Sequence, residues 1–167
     1  MRILGIDPGL RNLGWGVIES VANKLNYVAC GTIKTDPEEN LANRLAYLYD
    51  NLINLLDKFQ PEEVSVEYVF VNKDAQATLK LGQARGICLL APAQRGLIIA
   101  EYAPNQIKKT ILGVGHAGKE QIRYMIKHLL PKAELGNNDS SDALAIALCH
   151  FYHLQSERAY KIRELIS

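Results

Sequence analysis

The segment ILGIDPG, at residues 3–9, combines a short apolar run with a tight turn. The apolar run predicts a buried strand over residues 3–6, and the acid Asp7 opens the turn that follows it. Two further strands are predicted over residues 15–18 and 25–33. Because the connections between them are short, these three strands are expected to form an antiparallel meander.

The rest of the chain adds helices and two more strands. Leucines at helical spacing predict an amphipathic helix over residues 38–59, and a short apolar run predicts a fourth strand over residues 64–66 that also ends in an acid, Glu67. The remaining predicted elements are helices over 74–91, 106–112, 119–130 and 140–154 and a fifth strand over 97–100. This order predicts an α/β fold with a mixed five-stranded sheet and helices on both faces.

Length and composition predict a single globular domain. The chain has 167 residues, of which 48% are hydrophobic and 22% charged, and the last roughly ten residues are a candidate flexible tail. No apolar stretch approaches the length of a membrane helix, and the N-terminal apolar run is too short for a signal peptide. The three widely spaced cysteines are expected to be reduced thiols, so the sequence predicts a cytoplasmic protein.

Charge is distributed unevenly along the chain. Residues 71–132 contain ten lysines and arginines against three acids, whereas the segments on either side are acidic. A basic middle segment suits an anionic partner bound beside a cation site. A solvated surface with unevenly placed charges is the alternative interpretation, and composition alone favours it.

Four acids are the candidate catalytic groups. Asp7 and Glu67 follow the first and fourth predicted strands, which this topology makes parallel neighbours, so the two carboxylates are expected to lie side by side. Asp139 and Asp142 are three residues apart at the start of the last helix and therefore face the same way. Each acid also has a purely structural interpretation as a turn residue, a solvated strand end or a helix cap. If the four converge, hard divalent ions such as Mg²⁺ or Mn²⁺ would neutralise them.

Four blocks of sequence resemble the RuvC-type Holliday-junction resolvases. They are IDPG at residues 6–9, VEYVF at 66–70, KLGQARG at 80–86 and DSSDALA at 139–145, in the family's order and spacing over nearly the whole chain. The resemblance implies one RNase H-like nuclease domain over residues 1–167. Two departures are mild: Tyr68 replaces the usual glutamine, and Ser140-Ser141 replace a small apolar pair.

The resemblance also implies an activity. Asp7, Glu67, Asp139 and Asp142 match the family's catalytic, metal-binding positions. The implied enzyme is a Mg²⁺-dependent crossover junction endodeoxyribonuclease, with two ions in each active site and Mn²⁺ as a substitute. It would resolve four-way DNA junctions by paired symmetric nicks that leave 5′-phosphate and 3′-hydroxyl ends, in homologous recombination and DNA repair.

Contacts with DNA are assigned to the basic segment. Lys108 and Lys119 match family lysines near the DNA backbone, and Phe70 matches an aromatic residue that inserts among bases at the crossover. Lys73 and Arg85 are further candidates for phosphate contacts, as are, more weakly, two other basic residues, Lys80 and Arg123. Each basic residue has the alternative of a solvated surface charge, and Phe70 that of a core anchor.

The expected assembly is a homodimer, because a four-way junction is two-fold symmetric and needs two cuts. The helix rich in small residues over 74–91 is the candidate interface, and the family also implies a branch-migration complex of RuvA and RuvB type proteins. The histidines His116, His150 and His153 are assigned no role.

Two competing functions are weighed. The segment Asp7–Gly14 matches a phosphate-loop pattern of actin-like and sugar-kinase ATPases, but those enzymes need a second domain and a second such loop. A catalytically inactive junction-binding protein is the other alternative.

Overall fold

Five strands form one sheet in the computed structural model, which describes residues 1–22, 24–68, 74–115, 118–136 and 138–166. The strands are β1 (Arg2–Asp7), β2 (Asn12–Val21), β3 (Lys24–Lys34), β4 (Glu63–Glu67) and β5 (Ile98–Tyr102), in the spatial order β3-β2-β1-β4-β5. β1, β2 and β3 are antiparallel, whereas β4 runs parallel to both β1 and β5. The predicted meander, the mixed sheet and the pairing of the first strand with the fourth are therefore confirmed.

The helices lie on both faces of this sheet. They are α1 (Leu41–Phe59), α2 (Ala75–Gln94), α3 (Pro104–Leu112), α4 (Lys119–Leu129) and α5 (Asn138–Ile166). Side chains alternate along β1, so that Ile3 packs into a core with α3, α4 and α5, and Leu4 packs into a second core with α1 and α2. None of the described helices combines the length and apolar character that crossing a bilayer requires.

Helix ends differ from the predicted ones for local reasons. α1 begins three residues later than predicted, because the side chain of Asn40 caps it by accepting a hydrogen bond from the backbone N–H of Asn43 at 2.9 Å. α5 continues to Ile166, well beyond the predicted end at residue 154, so the segment considered as a tail is helical in the structure. These differences at the helix ends leave the order of the layers unchanged.

Glycines let α5 lie directly on the sheet. A Cβ atom on Gly5 of β1 would lie 2.1 Å from the carbonyl oxygen of Ala143, and one on Gly14 of β2 would lie 2.1 Å from that of Asp139. No side chain fits at such distances, so these strand residues pack backbone against backbone with the first turns of α5. This contact fixes the height of α5 above the ends of β1 and β4.

Candidate active site

Two acids lie side by side where parallel strands end. Ile6 of β1 is aligned with Val66 of β4, and each strand continues for one more residue, to Asp7 and Glu67. Because side chains alternate along a strand, both acids face the side of the sheet that α5 covers. The predicted proximity of Asp7 and Glu67 follows directly from this register.

The first turns of α5 bring Asp142 to the same pocket and place Asp139 near it. Asp142 lines one pocket together with Asp7 and Glu67, and the volume of this pocket is about 350 Å³. Asp139 lies in the first turn of the helix and is close enough for its charge to act on Asp7. The remaining lining residues come from α3, α4 and α5: Pro104, Ile107, Lys108, Lys119, Ile122 and Ala145.

Burial and neighbouring charges raise the pKa values of three of the acids. Burial, followed by the charges of the other three acids, raises the pKa of Asp7 to about 8. Burial and the charge of Asp142 raise the pKa of Glu67 to about 7, and burial raises the pKa of Asp142 as well. The protein alone therefore leaves part of the negative charge in this pocket uncompensated.

Two lysines partly compensate the negative charge of the acids in this pocket. The Nζ atom of Lys119, at the start of α4, lies 3.5 Å from Oδ2 of Asp142, and its side chain is 67% exposed. Lys108 on α3 lines the same pocket and lowers the pKa values of Glu67 and Asp142. Both lysines thus lie beside the acids, where the sequence analysis predicted them.

The donor atoms of the pocket suit a hard cation. Within the described ranges, no group of three or more His, Cys, Asp or Glu side chains already has an arrangement that could hold a metal ion. The acids themselves offer only carboxylate oxygens, which select hard divalent ions such as Mg²⁺, Mn²⁺ or Ca²⁺ rather than zinc.

Comparison with known proteins establishes the family. A family model described as crossover junction endodeoxyribonuclease RuvC matches residues 3–150, which contain the whole sheet except Arg2 of β1. The chain belongs to the RuvC family. RuvC of Brucella anthropi is 54% identical over 168 aligned residues, which cover 100% of this chain and 98% of that protein. RuvC of Rhizobium meliloti is 58% identical over 156 residues, which cover 93% of this chain and 92% of that one.

A solved structure extends this similarity to three dimensions. The structure of Thermus thermophilus RuvC in complex with a Holliday junction substrate has a TM-score of 0.87 and 33% sequence identity, and the match covers 94% of this chain and 96% of that one. The predicted RNase H-like fold and the predicted enzyme class, an endodeoxyribonuclease, are thereby confirmed. RuvC-like nucleases with this fold generally depend on divalent metal ions.

The other predicted DNA contacts of this RuvC-family chain lie away from the acidic pocket or outside the described residues. Arg85 lies on α2, where it forms an ion pair with Glu101 of β5, so part of its charge is already compensated. Arg123, a weaker candidate, donates hydrogen bonds to Oγ of Ser141 at 3.0 Å and to the carbonyl of Leu135 at 3.3 Å. Phe70 and Lys73 lie outside the described residues.

A buried polar network was missed by the sequence analysis. In the RuvC-family fold of this chain, Nε2 of His150 lies 2.8 Å from Oε2 of Glu63, and its Nδ1 lies 2.7 Å from the hydroxyl of Tyr102. These residues come from α5, β4 and β5, so the network joins three elements beneath the pocket. The available signal was a histidine within the apolar stretch ALAIALCHF, although the sequence does not show its partners.

Proposed function

We propose that this chain resolves four-way DNA junctions by paired symmetric nicks, and that Asp7, Glu67, Asp139 and Asp142 are its metal-binding, catalytic acids. The observation that carries the proposal is the single pocket lined by Asp7, Glu67 and Asp142, which come from three separate elements. The junction-bound structure of the Thermus thermophilus relative supports the same substrate. Junction cutting of this kind would serve homologous recombination and DNA repair.

The four acids would hold two Mg²⁺ ions, for which Mn²⁺ could substitute. Bound ions supply an activated water and stabilise the leaving oxygen, which gives 5′-phosphate and 3′-hydroxyl products. Asp7 would hold the ions together with the acids beside it, because β1 places it next to Glu67 and the start of α5. Its raised pKa also means that it must release a proton before it can act as an anionic ligand.

Lys119 and Lys108 would orient the DNA backbone at this pocket. Lys119 is mostly exposed, so its ammonium group can turn from Asp142 towards a phosphate while it stays at the rim. The first backbone N–H groups of α4 follow Gly118 and could also contact a phosphate. Phe70, Lys73 and Arg85 remain predicted DNA contacts, with Phe70 as the residue that inserts at the crossover.

A homodimer would present two such pockets to one junction. On α2, Leu79 and Leu90 are 64% and 47% exposed, and they are separated by three helical turns. Gly82 and Gly86 lie between them on the same face, and a Cβ atom on either would meet no atom within 4 Å. This apolar, uncovered face suits close packing of two copies about a two-fold axis.

The family resemblance suggests further features of the protein in the cell. We expect a cytoplasmic enzyme that acts with a branch-migration complex of RuvA and RuvB type proteins, and no membrane partner. The match to the nuclease family over residues 3–150 opposes the actin-like ATPase, and the four acids at the family's catalytic positions oppose the inactive junction binder.

The decisive experiment uses a synthetic four-way junction with labelled arms, incubated with the protein with and without Mg²⁺. We expect symmetric nicks only when Mg²⁺ is present, and the ends are identified by ligation. The Asp7→Asn variant should bind the junction in a gel-shift assay and leave it uncut. An Asp7→Asn protein that cuts at a near-normal rate would remove Asp7 from the chemistry, and a wild-type protein that binds without cutting would favour the inactive binder.

A further inference from the structure

An exposed aromatic ring lies at the strand end that carries Glu67, on the α2 side of the sheet. Tyr68 directly follows Glu67, and 45% of its surface is exposed. Its backbone N–H donates a hydrogen bond to the carbonyl of Tyr102 at 2.8 Å, so the chain is still extended at this residue. Since successive side chains of an extended chain point to opposite sides, the ring lies across the strand end from the carboxylate of Glu67.

Arg85 holds this ring from α2. The guanidinium carbon of Arg85 lies 4.9 Å from the centroid of the Tyr68 ring, a cation–π contact. The same guanidinium forms an ion pair with Glu101 of β5, and only 21% of the arginine side chain is exposed. The arginine is therefore fixed by a charge partner, and it in turn fixes the orientation of the exposed ring.

We propose that Tyr68 is a specificity-determining residue, whose ring stacks on a nucleobase next to the cut phosphodiester bond. The inference rests on the proposed function, because it takes the pocket of Asp7 and Glu67 as the place where that phosphodiester binds. A phosphate at the pocket places a neighbouring nucleotide over the carboxyl end of β4, where this ring is exposed on the other face of the sheet. Aromatic rings bind unstacked bases in this way, and their stacking strength differs between bases.

The neighbouring Arg85 strengthens the case for a nucleic-acid ligand. A guanidinium beside the ring adds positive charge near the DNA backbone, even though Glu101 compensates part of it. Arginine planes and aromatic rings are the two kinds of side-chain surface on which bases stack. The pair therefore offers an aromatic surface with cationic support at the carboxyl end of β4.

The test compares three substitutions on junctions that differ only in the bases flanking the cut. Tyr68→Phe should keep the wild-type cleavage rate and base preference, because it keeps the ring. Tyr68→Leu and Tyr68→Ala should cut the preferred junction about tenfold more slowly and show a flatter base preference. Arg85→Met should give a smaller loss of preference, since it removes the support and leaves the ring.

Tyr47→Leu is the matched control, because Tyr47 is 51% exposed on α1 and does not line the acidic pocket. It should cleave like the wild type. Thermal unfolding of each variant establishes that it is folded. A Leu variant that kept the wild-type base preference, or a Phe variant as impaired as the Leu variant, would overturn the proposal.

A second readout does not depend on cutting. The junction carries the fluorescent base 2-aminopurine next to the scissile bond. Binding of the Asp7→Asn protein should quench the fluorescence of this base by stacking. The double variant Asp7→Asn, Tyr68→Leu should leave the fluorescence unquenched. Unchanged emission would contradict stacking. A wild-type protein that bound junctions without cutting them would refute the proposed function, while the emission would still decide whether Tyr68 contacts a base.

Discussion

Each end of β4 carries a glutamate, and the two glutamates have different electrostatic surroundings. At the start of the strand, Glu63 accepts a hydrogen bond from His150 at 2.8 Å, and Tyr102 completes that network. At the other end, Glu67 faces other carboxylates, and its pKa is raised to about 7. Both glutamates lie on the face of the sheet that α5 covers.

This difference distinguishes an acid that the fold satisfies from one that we propose as a metal ligand. A half-buried carboxylate is tolerated when a hydrogen-bonded partner satisfies it, and the fold supplies such a partner for Glu63. The same strand and helix leave Glu67 and its neighbours without enough positive charge, which costs stability unless a cation binds. The end of β4 that the fold leaves uncompensated is therefore the end that we propose binds metal ions.

The largest expected effect is a loss of cleavage when Glu67 is substituted. Glu67→Gln keeps the shape of the side chain and removes its charge, so junction cleavage in Mg²⁺ should fall by about 1,000-fold. Glu63→Gln is the matched variant on the same strand, and its cleavage rate should stay within about threefold of wild type. Single-turnover rates on one labelled junction measure both. Equal losses in the two variants would refute the functional distinction between the glutamates.

The next largest expected effect is a loss of stability when His150, the partner of Glu63, is substituted. His150→Phe leaves the Glu63 carboxylate and the Tyr102 hydroxyl without their shared partner in a buried place, so the free energy of unfolding should fall by about 2–4 kcal/mol. Urea unfolding measures this change. His153→Phe on the same helix is the control and should cost less than about 1 kcal/mol, because the ring nitrogen of His153 makes only contacts of 3.4 Å with Gln106 and Thr110.

A smaller effect concerns pH. The pKa of Asp7 is raised to about 8, so the folded protein keeps a proton that the unfolded chain releases above its ordinary value of 3.8. The stability of the metal-free protein should therefore fall as the pH rises through this range. Asp7→Asn should remove much of this loss.

The corresponding measurement is the melting temperature in EDTA at pH 5 and pH 8. At pH 8 the Asp7→Asn protein should melt higher than wild type, by about 2–4 °C for each kcal/mol regained, whereas at pH 5 the difference should shrink. An Asp7→Asn protein that was less stable than wild type at pH 8 would contradict the raised pKa.

The smallest effect concerns the lysine at the rim. Lys119→Ala removes one phosphate contact, so junction binding should weaken about five- to tenfold and the dependence of binding on salt should decrease by about one ion. Lys24→Ala, at the start of β3, is the control and should bind like wild type. An unchanged salt dependence in Lys119→Ala would show that Lys119 does not contact the DNA backbone.

Much of the fold and of the pocket was predictable because both depend on patterns local in sequence. The apolar run before Asp7, the short strand before Glu67 and the three-residue spacing of the aspartates are local features, and the pairing of β1 with β4 follows from connection rules. The resemblance to a family then selected the nuclease interpretation among several structural ones. Helix ends were less predictable, because caps such as Asn40 depend on one side-chain hydrogen bond.

The buried network was not predictable for a physical reason. Glu63 and His150 are 87 residues apart, and the contact depends on how α5 lies across the sheet. A polar residue in an apolar helix shows that a partner must exist, without showing which residue it is. The pairing of Arg85 with Tyr68 and Glu101 has the same character, since it joins α2 to the ends of two strands.

Gly5 and Gly14 give the pocket its width without entering it. Because bare backbone at these positions meets the helix carrying Asp139 and Asp142, even one added methyl group would push that helix outward and spread the two halves of the ligand set. A mutational screen for lost cleavage should therefore select these glycines together with the acids, although neither glycine lines the pocket. Efforts to adapt the pocket to a larger cation could begin at these two positions and leave the carboxylates in place.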